Sequence, residues 1–418
     1  MTGRSAPAKR WLLAIAGLVV AVRILGLAAA DQLAASDPAW ALSLDAGHAG
    51  ARLAQVAPAL AATPPALGAA AAAATAALRQ EPAAGAALRD LAQVAELHGD
   101  AQQAGHLLAA VADIAPHDLY AQGWALQRAL QAADWPRAAR QVDVMFRGQD
   151  PARWGDIAAA VGPILTAPRL ARPLADILVG APAWRPWLLP QLARSSPDLD
   201  GVLALYATLQ ATPAPPSVLE LRALLARLLA EGRADAAYLV WLQSLPPGRL
   251  TDLGLLYNGN FQWPVSNLPF DWTFEPVAGA LVAVRDGPQD AGPELAVTFL
   301  GNRVAFHHIS HVLVLPPGRY AFSGRQQAQA LRSERGLIWR LTCRNDPTPL
   351  ADTPPLMGDS PWQDFAVEVT VPETCAMQML QLLLPARVVL EEEISGTALY
   401  SGLALRRDER GFPATDRR

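Results

Sequence analysis

Three histidines stand almost together, at His307, His308 and His311, and their side chains could hold a metal or move a proton. On a strand, positions 307 and 311 share one face while 308 points away. Two imidazoles could bind zinc, yet no Cys, Asp or Glu stands beside them at ligand spacing. A hydrogen-bonded role at a surface or strand end fits them better. Ser310 precedes His311 without the glycines of a nucleophile elbow. Carboxylates are available at Asp271, Glu275 and the run Glu391-Glu-Glu393. A glycosidase needs two of them held about 5–10 Å apart across the scissile bond. No motif selects such a pair, and the 391–393 run reads as a solvated turn. Lys9 is the only lysine, so neither a P-loop nor a Schiff-base lysine is present. No nucleotide loop, dinucleotide fingerprint or redox motif appears. The expectation is a protein that is not an enzyme and uses no cofactor or metal.

The two cysteines, Cys343 and Cys375, lie 32 residues apart. One disulfide closing a loop across strands would fit that spacing and contribute about 3–4 kcal/mol in the chain-entropy model. Two free thiols or a two-cysteine metal site are the alternatives, and the compartment decides between them. The N-terminus speaks to the compartment. Residues 1–10 carry Arg4, Lys9 and Arg10 and no acid, and an apolar stretch fills 11–30, broken by Arg23. Twenty residues at about 1.5 Å each span a bilayer core of roughly 30 Å. The basic flank should stay inside, which makes 1–10 cytoplasmic. Residues 31–418 then lie in the periplasm of a bacterium, anchored to the inner membrane, and the disulfide is the favoured state. Ala28-Ala-Ala30 offers a small-residue cleavage site, so a signal peptide is the alternative to an uncleaved anchor.

The whole chain is 418 residues, 52% apolar and 17% charged, with a net charge of −4. That is too apolar for disorder, and with no basic stripe nucleic acid is not an expected partner. Two architectures meet near residue 252. Up to that point Ala and Leu recur at helical spacing. Pro82 and Pro116 stand 34 apart, as do Asp100 and Asp134, and Ala70, Ala104 and Ala138 repeat at the same interval. In the best unit Leu88, Leu91, Ala92 and Ala95 form one stripe, and Asp100 is placed to cap a second helix. Ala104, Leu108 and Val111 then face back. Between 151 and 215 six prolines should allow only short helices. A last hairpin is expected over Val218–Leu245, turning at Glu231-Gly232-Arg233.

This spacing and pattern resemble a degenerate tetratricopeptide solenoid over 35–250, although its usual aromatic positions are aliphatic here. The resemblance implies a concave surface that holds a protein partner. A spacer packed only against its neighbour is the alternative.

Residues 253–406 change register to period two, with turns every 8–15 residues, which reads as an antiparallel sandwich. Pro316-Pro-Gly318 is a turn in which proline presets φ and glycine takes the positive-φ place. The opening Asn258-Gly-Asn-Phe261, a Trp on the second strand and Pro317-Gly-Arg-Tyr-Ala-Phe-Ser-Gly324 resemble carbohydrate-binding-module jelly rolls of the galactose-binding-domain-like group. That group closes on a Gly-x-x-x-x-Asp strand, whereas Gly396-Thr-Ala-Leu-Tyr-Ser-Gly402 has no Asp there. The resemblance implies a glycan or protein ligand. A sugar would need exposed aromatic faces flanked by planar polar groups. Trp263, Trp272, Trp339, Trp362 and Tyr400 are the aromatics available, with Arg325, Arg340 and Gln378 near them in strand sequence. The candidate ligand set is Trp263, Trp272, Arg325, Trp339 and Gln378. Trp272 and Trp339 also read as core residues, and Trp263, in a Pro-bounded loop, is best placed for exposure. Residues 407–418 read as a charged, flexible tail.

The chain is therefore expected to be multidomain α + β: a membrane helix, an α-solenoid of helix hairpins and a C-terminal jelly-roll sandwich. Its expected function is a membrane-anchored periplasmic scaffold in assembly or export of a cell-surface polysaccharide. An envelope adaptor that binds no sugar is the alternative, and a carbohydrate-active enzyme stands third.

Overall fold

The computed structural model describes residues 6–287, 292–344 and 346–408. Helices come first. α1 (Ala6–Leu33) leads into three short helices, α2 (Pro38–Leu44), α3 (Ala49–Leu53) and α4 (Val56–Ala61). Then follow α5 (Leu67–Gln80), α6 (Gly85–His98), α7 (Ala101–Ile114), α8 (Leu119–Gln131) and α9 (Trp135–Arg147). The series ends with α10 (Trp154–Leu165), α11 (Pro168–Leu178), α12 (Arg185–Ser195), α13 (Leu199–Gln210), α14 (Val218–Ala230) and α15 (Ala234–Ser244).

Within α1, Ala16–Leu33 is long and apolar enough to cross a membrane by length and composition, and its Leu18, Val19, Val20, Ile24 and Leu25 are exposed. The far end of α1 belongs to a small alanine core. Ala30 is fully buried against Ala41 and Ala51, and His48 Nε2 donates to Asp31 Oδ1 at 2.8 Å.

The 34-residue interval has a structural cause. Asp100 accepts a hydrogen bond from the Gln103 N–H at 2.9 Å, and Asp134 accepts one from Arg137 at 3.0 Å, each capping a helix start. Gly99 ends α6 with φ +82°, a conformation other residues rarely take. Ala92, Leu108, Val111, Ala115 and Ala121 then share one buried cluster. Leu91 turns the other way, onto the cluster of Val56, Ala70, Ala74 and Val94, so α6 serves two cores.

The prolines of 151–215 do not shorten the helices as expected. Pro163, Pro173 and Pro190 lie inside α10, α11 and α12, which still run 11 or 12 residues. Packing holds them. Leu165, Leu170, Leu174, Leu178, Leu188 and Leu189 are all fully buried, and each proline withdraws only one backbone donor.

The compact units divide elsewhere than the composition does. One unit is Met1–Ile177 with Pro182–Trp184, and the other is Leu178–Ala181 with Arg185–Arg418. The last four helices thus belong with the strands. In that second unit, Trp241 of α15 meets Tyr257 edge to face at 5.0 Å, and Tyr238 meets Phe270 at 5.3 Å. Arg185 of α12 forms a buried fork with Glu220 of α14 at 3.0 and 3.2 Å, and donates besides to the Leu178 and Pro215 carbonyls. Glu220 also completes a capping box with Ser217.

Strands fill the rest: β1 (Thr273–Phe274), β2 (Ala280–Asp286), β3 (Pro293–Arg303), β4 (Ile309–Leu313) and β5 (Gly318–Arg332). They continue as β6 (Ile338–Cys343), β7 (Asp346–Asp352), β8 (Gly358–Val371), β9 (Gln378–Leu383) and β10 (Glu393–Arg407). Two antiparallel five-stranded sheets result, ordered β1-β4-β9-β6-β7 and β2-β3-β10-β5-β8. One continuous core lies between them. β2 and β7 escaped the sequence reading because they are edge strands. Most of β2 is exposed, and β7 carries Pro349 in its ladder, which an edge tolerates. Trp272 stands just before β1, not on a strand.

The motifs read from the sequence hold this body together. A Cβ on Gly259 would lie 2.0 Å from the Leu403 carbonyl oxygen, so only glycine lets this loop meet β10. Phe261 then packs on Trp272 at 5.3 Å. At the Pro-Pro-Gly turn, the Tyr320 hydroxyl donates to the Pro316 carbonyl at 2.6 Å. Cys343 and Cys375 form a disulfide with Cα atoms 5.5 Å apart.

Candidate functional site

Alternation along β5 sends Tyr320, Phe322 and Ala328 into the core and turns Ala321, Ser323, Arg325 and Gln327 outward. On β8, Phe365, Val369 and Val371 point inward, leaving Trp362, Asp364 and Glu368 on the same outer face. The register places Arg325 opposite Asp364 on one side and Ser401 on the other. The guanidinium of Arg325 lies 5.3 Å from the Trp362 ring centroid and 3.7 Å from the Asp364 carboxylate. Beside them Leu399 and Ala296 form a buried apolar floor. Glu294 is buried on this face too and accepts from Arg285 at 2.7 Å. Thr298 and Thr397 hydroxyls meet at 3.1 Å further along.

The outer face of this sheet therefore presents an indole with a guanidinium over one face and a carboxylate beside that guanidinium, set in a field of amides and hydroxyls. Such a surface suits a ring with an apolar face and a rim of hydroxyls. The Arg guanidinium can donate to ring hydroxyls and the Asp carboxylate can accept from them, while the open face of the indole takes the C–H face.

Of the five residues expected to touch a ligand, Arg325 lies on this platform. Trp272 and Trp339 do not, because both are fully buried and pack on one another at 5.5 Å. The Trp272 indole N–H is spent on the Asn258 carbonyl at 2.9 Å, and Trp339 also meets Tyr400 edge to face. Gln378 is buried as well. Its Oε1 accepts from the Leu315 N–H at 2.9 Å, and its Nε2 donates to the Cys375 carbonyl at 2.7 Å. These three are structural, and burial is the reason. Trp263 is half-buried in its loop, with the Arg249 guanidinium 4.9 Å from its ring. Its backbone N–H and carbonyl both bond the side chain of the buried Asn258.

Trp362 was within reach of sequence reasoning. Carrying the alternation of Phe365–Val371 back by three residues places Trp362 and Asp364 on one face.

Asp271, His311 and Glu391, three of the residues that could have done acid–base chemistry, are held by neighbours. Asp271 accepts from Ser266 N–H and hydroxyl at 2.8 and 2.7 Å, and from the Trp272 N–H at 2.8 Å. His311 is fully enclosed, with Nδ1 2.9 Å from the Val312 carbonyl and Nε2 3.2 Å from that of Tyr257. Burial pushes its pKa below the ordinary histidine range, against the opposing pull of Asp271 and the two carbonyls. The His307 and His308 rings meet at a tilt, 4.5 Å between centroids, outside any strand. Glu391 does not simply face solvent: Arg335 at 2.5 Å and the Arg387 N–H at 2.7 Å hold its carboxyl down to about 2.

No protein-family model matches the chain, and no curated protein does. Among solved structures, one described as "CBM4 structure and function" is 17% identical, covering 37% of this chain and 99% of that one, at TM-score 0.27. A TmCBM61 structure in complex with beta-1,4-galactotriose is 9% identical over 37% of this chain and 99% of that one, at TM-score 0.25. A Pseudomonas aeruginosa pilF structure is 15% identical over 54% of this chain and 89% of that one, at TM-score 0.24. The likeness is coarse, to carbohydrate-module sandwiches in one case and to pilF in the other.

Proposed function

We propose that the chain is a non-catalytic, membrane-anchored scaffold of the bacterial envelope that serves assembly or export of a cell-surface polysaccharide. Its sandwich takes glycan on the outer face of β2-β3-β10-β5-β8, and its helical repeats hold a protein partner. The observation that supports the reading is the Arg325–Trp362–Asp364 constellation, an outward indole carrying a guanidinium over one face, with a carboxylate 3.7 Å from that guanidinium. Two further features support its place in the cell. The Cys343–Cys375 disulfide belongs to oxidising compartments. Burial of Ala30 with Ala41 and Ala51 favours an uncleaved α1, since cutting after Ala30 would strip that small core of a wall.

The test is binding of the full chain, in detergent micelles, to an array of bacterial surface glycans. At least one glycan should be retained, and Trp362→Ala should weaken it tenfold or more while the thermal transition is unchanged. Retention unaffected by Trp362→Ala would remove the platform from the account. A second reading, a protein adaptor that binds no sugar, draws on the position of Arg325 over the Trp362 ring, which covers a face that a sugar would need. No retained glycan beside a stable co-purifying protein would favour it.

A further inference from the structure

Two surface features of the second compact unit match one another. The first is a groove of about 630 Å³ between α12 and α14. Pro186, Trp187, Leu219 and Ala223 line it, together with Arg194 and Arg222. Leu219 is 69% exposed there. Neither Arg194 nor Arg222 is ion-paired to a carboxylate among the described residues, whereas the neighbouring Arg227 is committed to Glu231 at 2.5 Å.

The second feature is a projecting turn before β10. Val388, Val389 and Leu390 follow one another, 57%, 60% and 68% exposed. Three consecutive large apolar side chains in water are unusual for a turn. The turn is held in that posture: Glu391 folds back to accept from Arg335 and from the Arg387 N–H. Glu392 and Glu393 follow the tip in sequence, and neither is ion-paired among the described residues.

We infer that the tip of one copy of this chain docks in the α12–α14 groove of a second copy. An apolar tip with two uncommitted carboxylates meets an apolar groove with two uncommitted guanidiniums, so hydrophobicity and charge agree. The contact joins different patches on the two copies, so it is head-to-tail and each copy keeps one patch of each kind for a further neighbour. Three side chains and two ion pairs make a small interface, at the weak end of specific contacts. The association is reversible and weakens as salt screens the charges.

Sedimentation velocity of the full chain in detergent micelles tests this. The wild type should show concentration-dependent growth beyond dimer, weakened tenfold or more in dissociation constant by Leu390→Asp or by Arg222→Glu. Mixing the two variants should give one-to-one pairs and nothing larger, because the first keeps its groove and the second its tip. Arg222→Glu combined with Glu393→Arg should restore growth in part. α1 is the same in every variant, so association through the membrane helix would survive both substitutions and overturn the inference. A monomeric wild type, or a mixture that fails to pair although both variants keep the wild-type thermal transition, would overturn it as well.

Discussion

The helical repeats and the strand sandwich of this chain solve the same problem of burial in opposite ways. From α1 to α8 the repeats place apolar side chains in separate clusters. Ala30, Ala41 and Ala51 form one, Val56, Ala70, Ala74 and Val94 another, and Ala92, Leu108, Val111, Ala115 and Ala121 a third. Alanine brings helices close and loses no rotamer freedom, but each one removes little apolar surface from water. Such helices depend on neighbours and caps. The sandwich gathers Trp272, Trp339, Phe322, Tyr400 and many others into one core. The comparison teaches that damage in the repeats should stay local, as in other quasi-one-dimensional stacks, while damage between the sheets should be felt throughout.

The largest effect should come from emptying the centre of the sandwich. Trp339→Ala removes contacts with Trp272, Phe322 and Tyr400 and should cost about 3–5 kcal/mol. Hydrogen exchange followed by mass spectrometry should show all ten strands losing protection together, with α5–α9 unchanged. Fraying confined to β6 would break the contrast. Glu220→Ala sharpens it, because this helical residue belongs to the same compact unit as the strands. It strands Arg185 in a buried site at a cost of about 3–5 kcal/mol. Lost protection should centre on α12 and α14, with α5–α9 again untouched.

Acid should act on the sandwich before the repeats. The folded pKa of His311 is depressed by burial, so the unfolded chain takes up its proton first. Stability is intact above the unfolded value of about 6.5 and falls as pH drops from there toward the folded pKa, by up to about 1.4 kcal/mol per pH unit. His311→Gln should flatten that slope in urea titrations at pH 7 and pH 5, and an unchanged slope would contradict the assignment. The smallest effect should be Asp134→Ala, which removes the N-cap of α9 and costs about 1 kcal/mol. It should raise exchange in α8 and α9 only.

The repeats were legible because their physics is local in sequence. Asp100 and Asp134 cap helices a few residues away, and Ala104 and Ala138 sit where helices approach, so one interval records both. The disulfide was legible in its spacing and settled only by the fold. The sandwich platform was less readable. Period-two alternation says that Trp362 and Asp364 share a face, but not that this face looks outward. That depends on partners such as Ser401 and Arg325, some 76 residues apart in sequence, which meet only through the β5–β10 register. Trp272, Trp339 and Gln378 look as available as Trp362 until that register is known. Likewise nothing in composition ties Trp241 to Tyr257 and Phe270, the contacts that bind α15 to the loop before β1.

Everything functional in this account turns on whether the Arg325–Trp362 face meets a sugar. Titration calorimetry of the full chain with purified surface polysaccharide fragments, comparing wild type with Trp362→Ala and Trp263→Ala, measures that directly. The account predicts saturable heat for the wild type, retained by Trp263→Ala and lost by Trp362→Ala. Equal binding by wild type and Trp362→Ala, or binding lost with Trp263 alone, would contradict it.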